Sequence, residues 1–251
     1  MNERFKGKVA LVTGGASGLG RAAVEVFARD GAAVVIADRA REKGMALAAS
    51  IMAAGGQALF VETDVSDRAA FEYMFEQALR RFGRVHCAFN NAGIPDAARS
   101  MIDSTQDNWD RVIKINLEGI WHSMTVEIRH MLEFGGGTIV NMSSRAGLVG
   151  LPGDAIYGAS KHGVIGLTKA AAVEFAGRGV RINAVCPGMV RTPLSESRFG
   201  ADIETLQLTA NPLGRMGQPE EIAEAVAWLC SDASSFVVGV ALPLDGGSTA
   251  R

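Results

Sequence analysis

The chain has 251 residues, 48% of them hydrophobic, with 25 basic against 27 acidic side chains and a formal net charge of −2. That length accommodates one large α/β domain with a substantial core, and interspersed charge of this kind gives no basic field for nucleic acid or an anionic membrane. The first residues, Met1 to Lys8, lack the apolar run of a signal peptide, and no later stretch is a continuous membrane span. Cys87, Cys186 and Cys230 are far apart and without metal-ligand spacing; they read as reduced core residues, which fits a cytoplasmic protein.

Along the chain a strand, a turn and a helix recur. Val9–Val12 is a short apolar run that stops at Thr13-Gly14-Gly15-Ala16-Ser17-Gly18-Leu19-Gly20, and a helical pattern follows to Asp30. Glycines between a first strand and a helix permit a tight turn and let the backbone approach a pyrophosphate, which then rests on the positive helix N-terminus. The spacing G-x-x-x-G-x-G differs by one residue from the common dinucleotide fingerprint, and no Gly-Lys-Ser/Thr follows to make a P-loop. The plain alternative is a turn that is structural only. Ala33–Ala37 is a second buried strand. It ends at Asp38, where an acid can hydrogen-bond a ribose 2′-hydroxyl. A 2′-phosphate at about 4 Å from that carboxylate would cost roughly 4 kcal/mol per unit charge at an effective dielectric near 20. Asp38 therefore favours NAD over NADP, while Arg39 beside it is either a phosphate partner that softens the penalty or a solvated side chain.

An alanine-rich helix runs to about Ala54, and Ala58–Val61 is a third strand, closed by Asp64-Val65. An acid there can accept from an adenine amino group or cap the next helix, a task open to Ser66 or Asp67 as well. That helix carries Phe71, Met74, Phe75, Ala78, Leu79 and Phe82 at helical spacing. Val85–Phe89 is a fourth strand, followed by Asn90-Asn91-Ala92-Gly93. A long helical segment spans about Asp107 to Phe134, Thr138–Met142 is a fifth strand, and a helix covers Asp154 to Gly177. Val180–Val185 is a sixth strand. A helix opens at Pro219-Glu220-Glu221 with proline first and acids in its first turn, and Ser235–Leu242 reads as the last strand. Continuous apolar strands alternating with helices predict an α/β, doubly wound parallel sheet between two helical layers, in a single domain.

Within the helix from Asp154, Tyr157 and Lys161 stand four residues apart, so both side chains lie on one face about one turn from each other. A lysine ammonium beside a tyrosine hydroxyl favours the phenolate, and lowering a tyrosine pKa from about 10 by two or three units takes roughly 3–4 kcal/mol of differential stabilisation.

With these motifs in place, the chain resembles the short-chain dehydrogenase/reductase family, a Rossmann-fold family, over essentially its whole length. The resemblance rests on the Thr-Gly-x-x-x-Gly-x-Gly turn at 13–20, Asn90-Asn91-Ala92-Gly93, Asn116, Ser144, Tyr157-x-x-x-Lys161 and Pro187-Gly188, in the family's order. It implies a catalytic tetrad of Asn116, Ser144, Tyr157 and Lys161, with a nicotinamide cofactor extended along the strand ends. The family's serine lies thirteen residues before its tyrosine, which selects Ser144; Ser143 is then a neighbour whose hydroxyl bonds locally. In oxidation the Tyr157 phenolate takes the substrate hydroxyl proton while a hydride passes to the nicotinamide ring. Ser144 donates to the oxygen that bears charge, Lys161 also holds the nicotinamide ribose, and Asn116 sustains a water link from Lys161 to solvent. Thr13, Gly14, Ser17, Gly18, Leu19 and Gly20 form the phosphate turn. Asp38, Arg39, Asp64, Val65, Asn91, Ala92, Gly93, Pro187, Gly188 and Val190 supply the other cofactor contacts. Thr192 holds the carboxamide or is a hydroxyl within an Arg-Thr-Pro turn.

Substrate contacts are expected from Ser144, Tyr157, Ile94, Arg145 and Met189, under a short-helical lid at about 189–213 that includes Leu194, Phe199, Ile203, Leu206 and Leu208. Arg145 either holds a substrate carboxylate or phosphate or faces solvent. The small residues Ala155, Ala159, Gly163, Gly166 and Ala170 lie roughly opposite Tyr157 and pack either on the sheet or on another subunit; family members are commonly tetramers, so a homotetramer is expected. The four histidines have no common acid or thiol neighbours at metal spacing, so no metal site is expected. The function implied is an oxidoreductase moving a hydride between NAD(H) and a small-molecule secondary alcohol or ketone. A non-catalytic nucleotide sensor would have no need of the tetrad. Nucleotide-sugar epimerases and dehydratases are usually longer, with a separate substrate domain. Sugars, cyclic alcohols, steroids, hydroxy acids and acyl-thioester ketones all remain open as substrates.

Overall fold

In the computed structural model the described residues are 3–96, 100–193, 195, 196, 200 and 211–250. Seven strands form one parallel sheet: β1 Val9–Thr13, β2 Ala33–Asp38, β3 Gln57–Glu62, β4 Cys87–Asn90, β5 Gly137–Met142, β6 Val180–Pro187 and β7 Ala241–Leu244. Their order across the sheet is β3-β2-β1-β4-β5-β6-β7. The helices are α1 Gly18–Arg29, α2 Arg41–Ala53, α3 Arg68–Phe82, α4 Gln106–Ile113, α5 Gly119–Glu133, α6 Ala155–Phe175 and α7 Pro219–Cys230. The chain winds outward from β1 through β2 to β3, then returns to lay β4 against the other side of β1. Where the winding reverses, the connections that leave the carboxyl ends of β1 and β4 run to opposite faces of the sheet and leave a crevice above those paired ends, the usual ligand position in such a sheet.

Both faces of the sheet are covered, which is why the strands read as unbroken apolar runs. Alternate residues take opposite sides. Val12, Val34 and Ile36 pack with Phe27 of α1 and with Ile222 and Val226 of α7. Leu11 and Val35 turn the other way, onto Phe71 and Met74 of α3. Further along, Ile139 and Ile182 meet Met131 and Val164. Each fully buried side chain of this size contributes about 1.5–3 kcal/mol.

Of the boundaries that differ from the expectations, three have a visible local cause. The long helical segment is broken by a π turn at Lys114–Glu118, which joins α4 to α5 and contains Asn116. The last strand begins only at Ala241, because Gly239 has φ +72° and Asn183 ties the preceding loop by accepting from Val240 N and donating to Val237 O. β4 begins at Cys87. Before it, the His86 imidazole accepts from Val9 N at 3.0 Å, and burial pushes its pKa down to about 4. His130 likewise accepts from Val85 N at 3.1 Å, so both histidines work as neutral structural acceptors. Among the described residues no cluster of histidine, cysteine or acidic groups is arranged to hold a metal ion, and no helix is long and apolar enough to cross a membrane.

Candidate active site

The first wall of the crevice is the turn after β1. Gly14 and Gly18 have φ of +62° and +52°, a region that disfavours a side chain. A Cβ on Gly20 would stand 2.0 Å from the Gly14 carbonyl oxygen, so α1 can close on the turn only with glycine there. Ser17 stands at the N-cap of α1 in an extended conformation, its side chain makes no capping bond, and the first turn contains no acid. The opening amides of α1 therefore point into the crevice without a side-chain partner, the arrangement that accepts an anionic group. Thr13 Oγ1 accepts from Asn91 N at 3.0 Å and Ala92 N at 3.1 Å, and Asn91 Nδ2 donates to the Thr13 and Gly14 carbonyls. These bonds splice the ends of β1 and β4. Thr13 and Gly20, expected as cofactor contacts, are thereby placed behind the cavity wall, where they hold the turn.

At the end of β2, the Asp38 carboxylate accepts from Ala16 N at 2.9 Å and Ala40 N at 2.8 Å. It is thus fixed beside the glycine turn while still lining the cavity. Arg39 is turned toward Asp64, at 3.7 Å, and is 72% exposed. Asp67 caps α3 by accepting from Ala69 N and Ala70 N, which leaves Asp64 to accept from the amide and hydroxyl of Ser66. Burial alone would raise the Asp64 pKa, but the Ser66 bonds and Arg39 hold it below the ordinary value. Val65 lines the same end of the cavity.

The opposite end is built from β5, α6 and the π turn. Lys161 is 2% exposed and donates from Nζ to the Met142 carbonyl at 2.9 Å; the same Nζ lies 5.5 Å from the centroid of the Tyr157 ring. Burial lowers the lysine pKa to about 8, so it remains a cation at neutral pH. Ser144 Oγ accepts from Ala146 N at 3.1 Å and starts a 3₁₀ turn at Arg145–Gly147, which leaves its own hydrogen available to the cavity. Ser143 differs from expectation: its hydroxyl donates at 2.9 Å to the Lys161 carbonyl across on α6. Gly147 must be bare for this packing, since a Cβ there would lie 2.5 Å from Ser143 Oγ. Asn116, fully buried, accepts from Ile94 N at 2.8 Å, donates to Ile94 O at 2.9 Å and reaches Ser160 Oγ at 3.4 Å. It does not line the cavity. Its amide sets the loop after Gly93, where a Cβ would stand 3.2 Å from Asn116 Oδ1 and 3.6 Å from Lys161 Nζ.

These ends enclose one cavity of about 440 Å³. Gly14, Ser17, Gly18, Leu19, Asp38, Arg39, Asp64, Val65, Asn91, Ala92 and Gly93 line it toward the glycine turn. Ile94, Ser144, Arg145, Tyr157, Lys161, Pro187, Gly188, Met189, Val190 and Thr192 line it toward α6. Thr192 exchanges hydrogen bonds with Ser195 in a local turn, at 2.9 Å from its amide to Ser195 Oγ. Thr63, Ile115, Met142 and Asp154 also line the cavity without having been expected, and Ser195 lines it from within the expected segment at 189–213. Ile115 and Met142 were accessible by position, since each stands within two residues of a tetrad member; Thr63 and Asp154 have no such marker. Of the expected lid, Leu194, Phe199, Ile203, Leu206 and Leu208 lie outside the described residues. Of the small residues of α6, Ala159, Gly166 and Ala170 are exposed, while Ala155 and Gly163 are half-buried, Gly163 against Leu117; Ile156, Ser160, Val164, Thr168 and Ala172 make the buried face, so that face and not the small one packs on the sheet.

Comparison with known proteins agrees with this architecture. A family model described as "Enoyl-(Acyl carrier protein) reductase" matches residues 14–249. The cyclohexanol dehydrogenase of Acinetobacter sp. (strain SE19) is 41% identical over 251 residues, covering 100% of this chain and 98% of that protein. The cis-4-hydroxycyclohexanecarboxylate dehydrogenase of Sinomonas cyclohexanicum is 43% identical over 250 residues, covering 100% of both. Among solved structures, levodione reductase superposes with a TM-score of 0.93 at 37% identity, over 98% of this chain and 99% of that one.

Proposed function

The chain belongs to the short-chain dehydrogenase/reductase family and is an oxidoreductase of alcohols and ketones; from that premise we propose that it oxidises a secondary alcohol on an alicyclic ring with NAD. The observation that carries this reading is the Lys161 ammonium 5.5 Å from the Tyr157 ring centroid, in the cavity that also receives the uncapped first turn of α1. The residues present fit a dinucleotide. The bare amides of α1 suit its pyrophosphate, the Asp38 carboxylate a ribose diol, and Lys161 the second ribose. When bound, the nicotinamide supplies the acceptor or donor of hydride. Tyr157 removes the proton of the substrate hydroxyl as the C–H bond loses its hydride, and returns it in reduction. Ser144 donates a hydrogen bond to that oxygen, where charge develops. Lys161, a cation below about pH 8, stabilises the phenolate. Asn116 positions Ile94 and backs Ser160, which itself donates to the Tyr157 carbonyl at 2.7 Å.

The substrate class is supported by relatives whose names specify cyclohexane-ring alcohols and by the apolar side chains Ile94, Pro95, Leu151 and Met189 at the α6 end of the cavity. The test is NADH formation from a panel of secondary alcohols, neutral and carboxylated, with NAD and NADP. Cyclic alcohols with NAD should be the best pair, and silence on them would remove the alicyclic-alcohol reading. Arg145 lines the cavity beside Ser144, and its one hydrogen bond to a described side chain is a long one, 3.4 Å to Ser248 Oγ. On the same panel, Arg145→Ala should lower kcat/KM about tenfold for carboxylated rings and leave neutral ones within twofold, as loss of one charge-assisted contact requires. An equal loss on both would make Arg145 a structural residue.

The outward small face of α6 adjoins a shallow apolar groove lined by Leu117, Trp121, Gly163 and Leu167, with Trp121 50% exposed. Small residues let helices approach closely, and the occupant that fits is the same face of a second copy, as in a homotetramer. Light scattering at micromolar concentration should give about four chain masses, and a monomer would contradict this part of the reading. A cytoplasmic location is also proposed, supported by three free thiols; cell fractionation checks it.

A further inference from the structure

Beneath the cavity, four polar side chains are sealed between β4, β5, α5 and α6, and the reaction as described uses none of them. Asn90, Glu127, Asn141 and Thr168 are each no more than 1% exposed. Asn90 Nδ2 donates to Glu127 Oε2 at 2.9 Å and to Asn141 Oδ1 at 3.0 Å, and Asn141 Nδ2 donates to Thr168 Oγ1 at 2.9 Å. Both hydrogens of the Asn90 amide are thereby committed. Two buried oxygens are left without a partner, Asn90 Oδ1 and Glu127 Oε1, the remaining ends of the two planar groups that already share one bond. Two orphaned acceptors on one bonded pair of planar groups lack a donor, and a proton on Oε1 is the donor that would satisfy both. A buried carboxylate needs a cation or several donors. Glu127 has one donor, and no ion pair is formed with it among the described residues.

We propose that Glu127 keeps its proton in the folded chain and closes a two-bond acid–amide ring with Asn90, making it a positioning residue for the strand ends that build the site. Asn90 runs directly into Asn91–Gly93, and Asn141 precedes Met142, whose carbonyl receives the Lys161 ammonium, and Ser144. The ring clamps α5 to both strands at the point where they enter the cavity. The ionisable side chains buried on the surrounding elements are Cys87 on β4, His130 on α5 and Lys161 on α6; β5 has none, and those of α3 are exposed. None of them acts on Glu127. Burial raises its pKa to about 8, and the Asn90 bond opposes this only in part. The folded value lies above the ordinary 4.5, so the stabilisation is fully present below about pH 4.5 and is lost as pH rises through about 8.

The positioning role rests on the oxidoreductase reading; the protonation does not, and the experiment separates them. The carboxyl carbon of Glu127, assigned by its disappearance from the NMR spectrum of Glu127→Gln, should have an acid shift at pH 7 and titrate near pH 8. Glu127→Gln supplies the same donor–acceptor pattern without a titratable proton. It should keep kcat/KM within about threefold and lose the decline of stability between pH 5 and 8, whereas Glu127→Leu should lower kcat/KM at least tenfold. A carboxyl already ionised at pH 7 overturns the proposal, even if Glu127→Leu fails to fold. Glu127→Gln as damaging as Glu127→Leu overturns the positioning role, and absence of all turnover in the wild type leaves the titration to decide the protonation.

Discussion

Tyr157→Phe should abolish turnover, lowering kcat/KM by on the order of 10³–10⁴, the upper range for loss of a positioned acid–base group, while NADH binding changes by no more than a few-fold. The two effects separate because the substitution removes one oxygen and leaves the ring. Tyr157 is only half-buried, so the change creates no core cavity, and its backbone anchors, Asp96 to its amide and Ser160 to its carbonyl, are untouched. Lys161 keeps its bond to the Met142 carbonyl and so its position in the cavity. What disappears is the atom that exchanges a proton with the substrate oxygen. Ser144 cannot replace it, because its hydroxyl oxygen is held by accepting from Ala146 N and has no base beside it among the described residues. Initial rates of NADH formation and fluorescence titration with NADH measure the two quantities independently. Near-normal turnover in the variant would take Tyr157 out of the chemistry.

The spacing of Tyr157 and Lys161 is visible in the sequence, and the same is true of much of the site. The seven strands, the glycine turn, Asp38 and the pairing of Tyr157 with Lys161 follow from periodicity and local turn chemistry, which a single sequence contains. The parts that escaped depend on non-local geometry. Asn116 was placed by resemblance to a family, but its position in a π turn, with its amide spent on Ile94, depends on how α4 and α5 are held by their neighbours. Ser235–Val240 mimics a strand because Val237 and Val240 pack on the core, yet Gly239 and the side chain of Asn183 bend it into a loop. Glu127 carries no mark in the sequence beyond its place in the long helical segment; only the closed fold shows that it is buried against Asn90. Thr13 shows the limit from the other side. Its motif is legible, but which way its hydroxyl points is decided by Asn91, just past β4 and 78 residues later.

The second large effect is on the choice of cofactor. Wild-type kcat/KM should favour NAD over NADP by about 10³, and Asp38→Asn should cut that preference to roughly tenfold. At about 4 Å and an effective dielectric near 20, one unit of negative charge on a 2′-phosphate is repelled by the carboxylate by roughly 4 kcal/mol, which is close to three powers of ten. The carboxylate cannot swing aside to lessen this, because both of its oxygens are held, one by Ala16 N and the other by Ala40 N. Those two bonds also decide the variant. Alanine would strand two backbone amides and loosen the glycine turn, whereas asparagine keeps an acceptor for one of them and removes the charge. Arg39 works in the opposite direction. It lies 3.7 Å from Asp64 and is largely exposed, so it is free to turn toward a phosphate that Asp38 no longer repels, and this is why the residual preference in Asp38→Asn should be small. Steady-state rates with both cofactors on one cyclic alcohol give the ratio directly. If the wild type used NADP as well as NAD, the carboxylate would not be facing the ribose, and the placement of the dinucleotide along the β1–β2 edge would have to be abandoned with it.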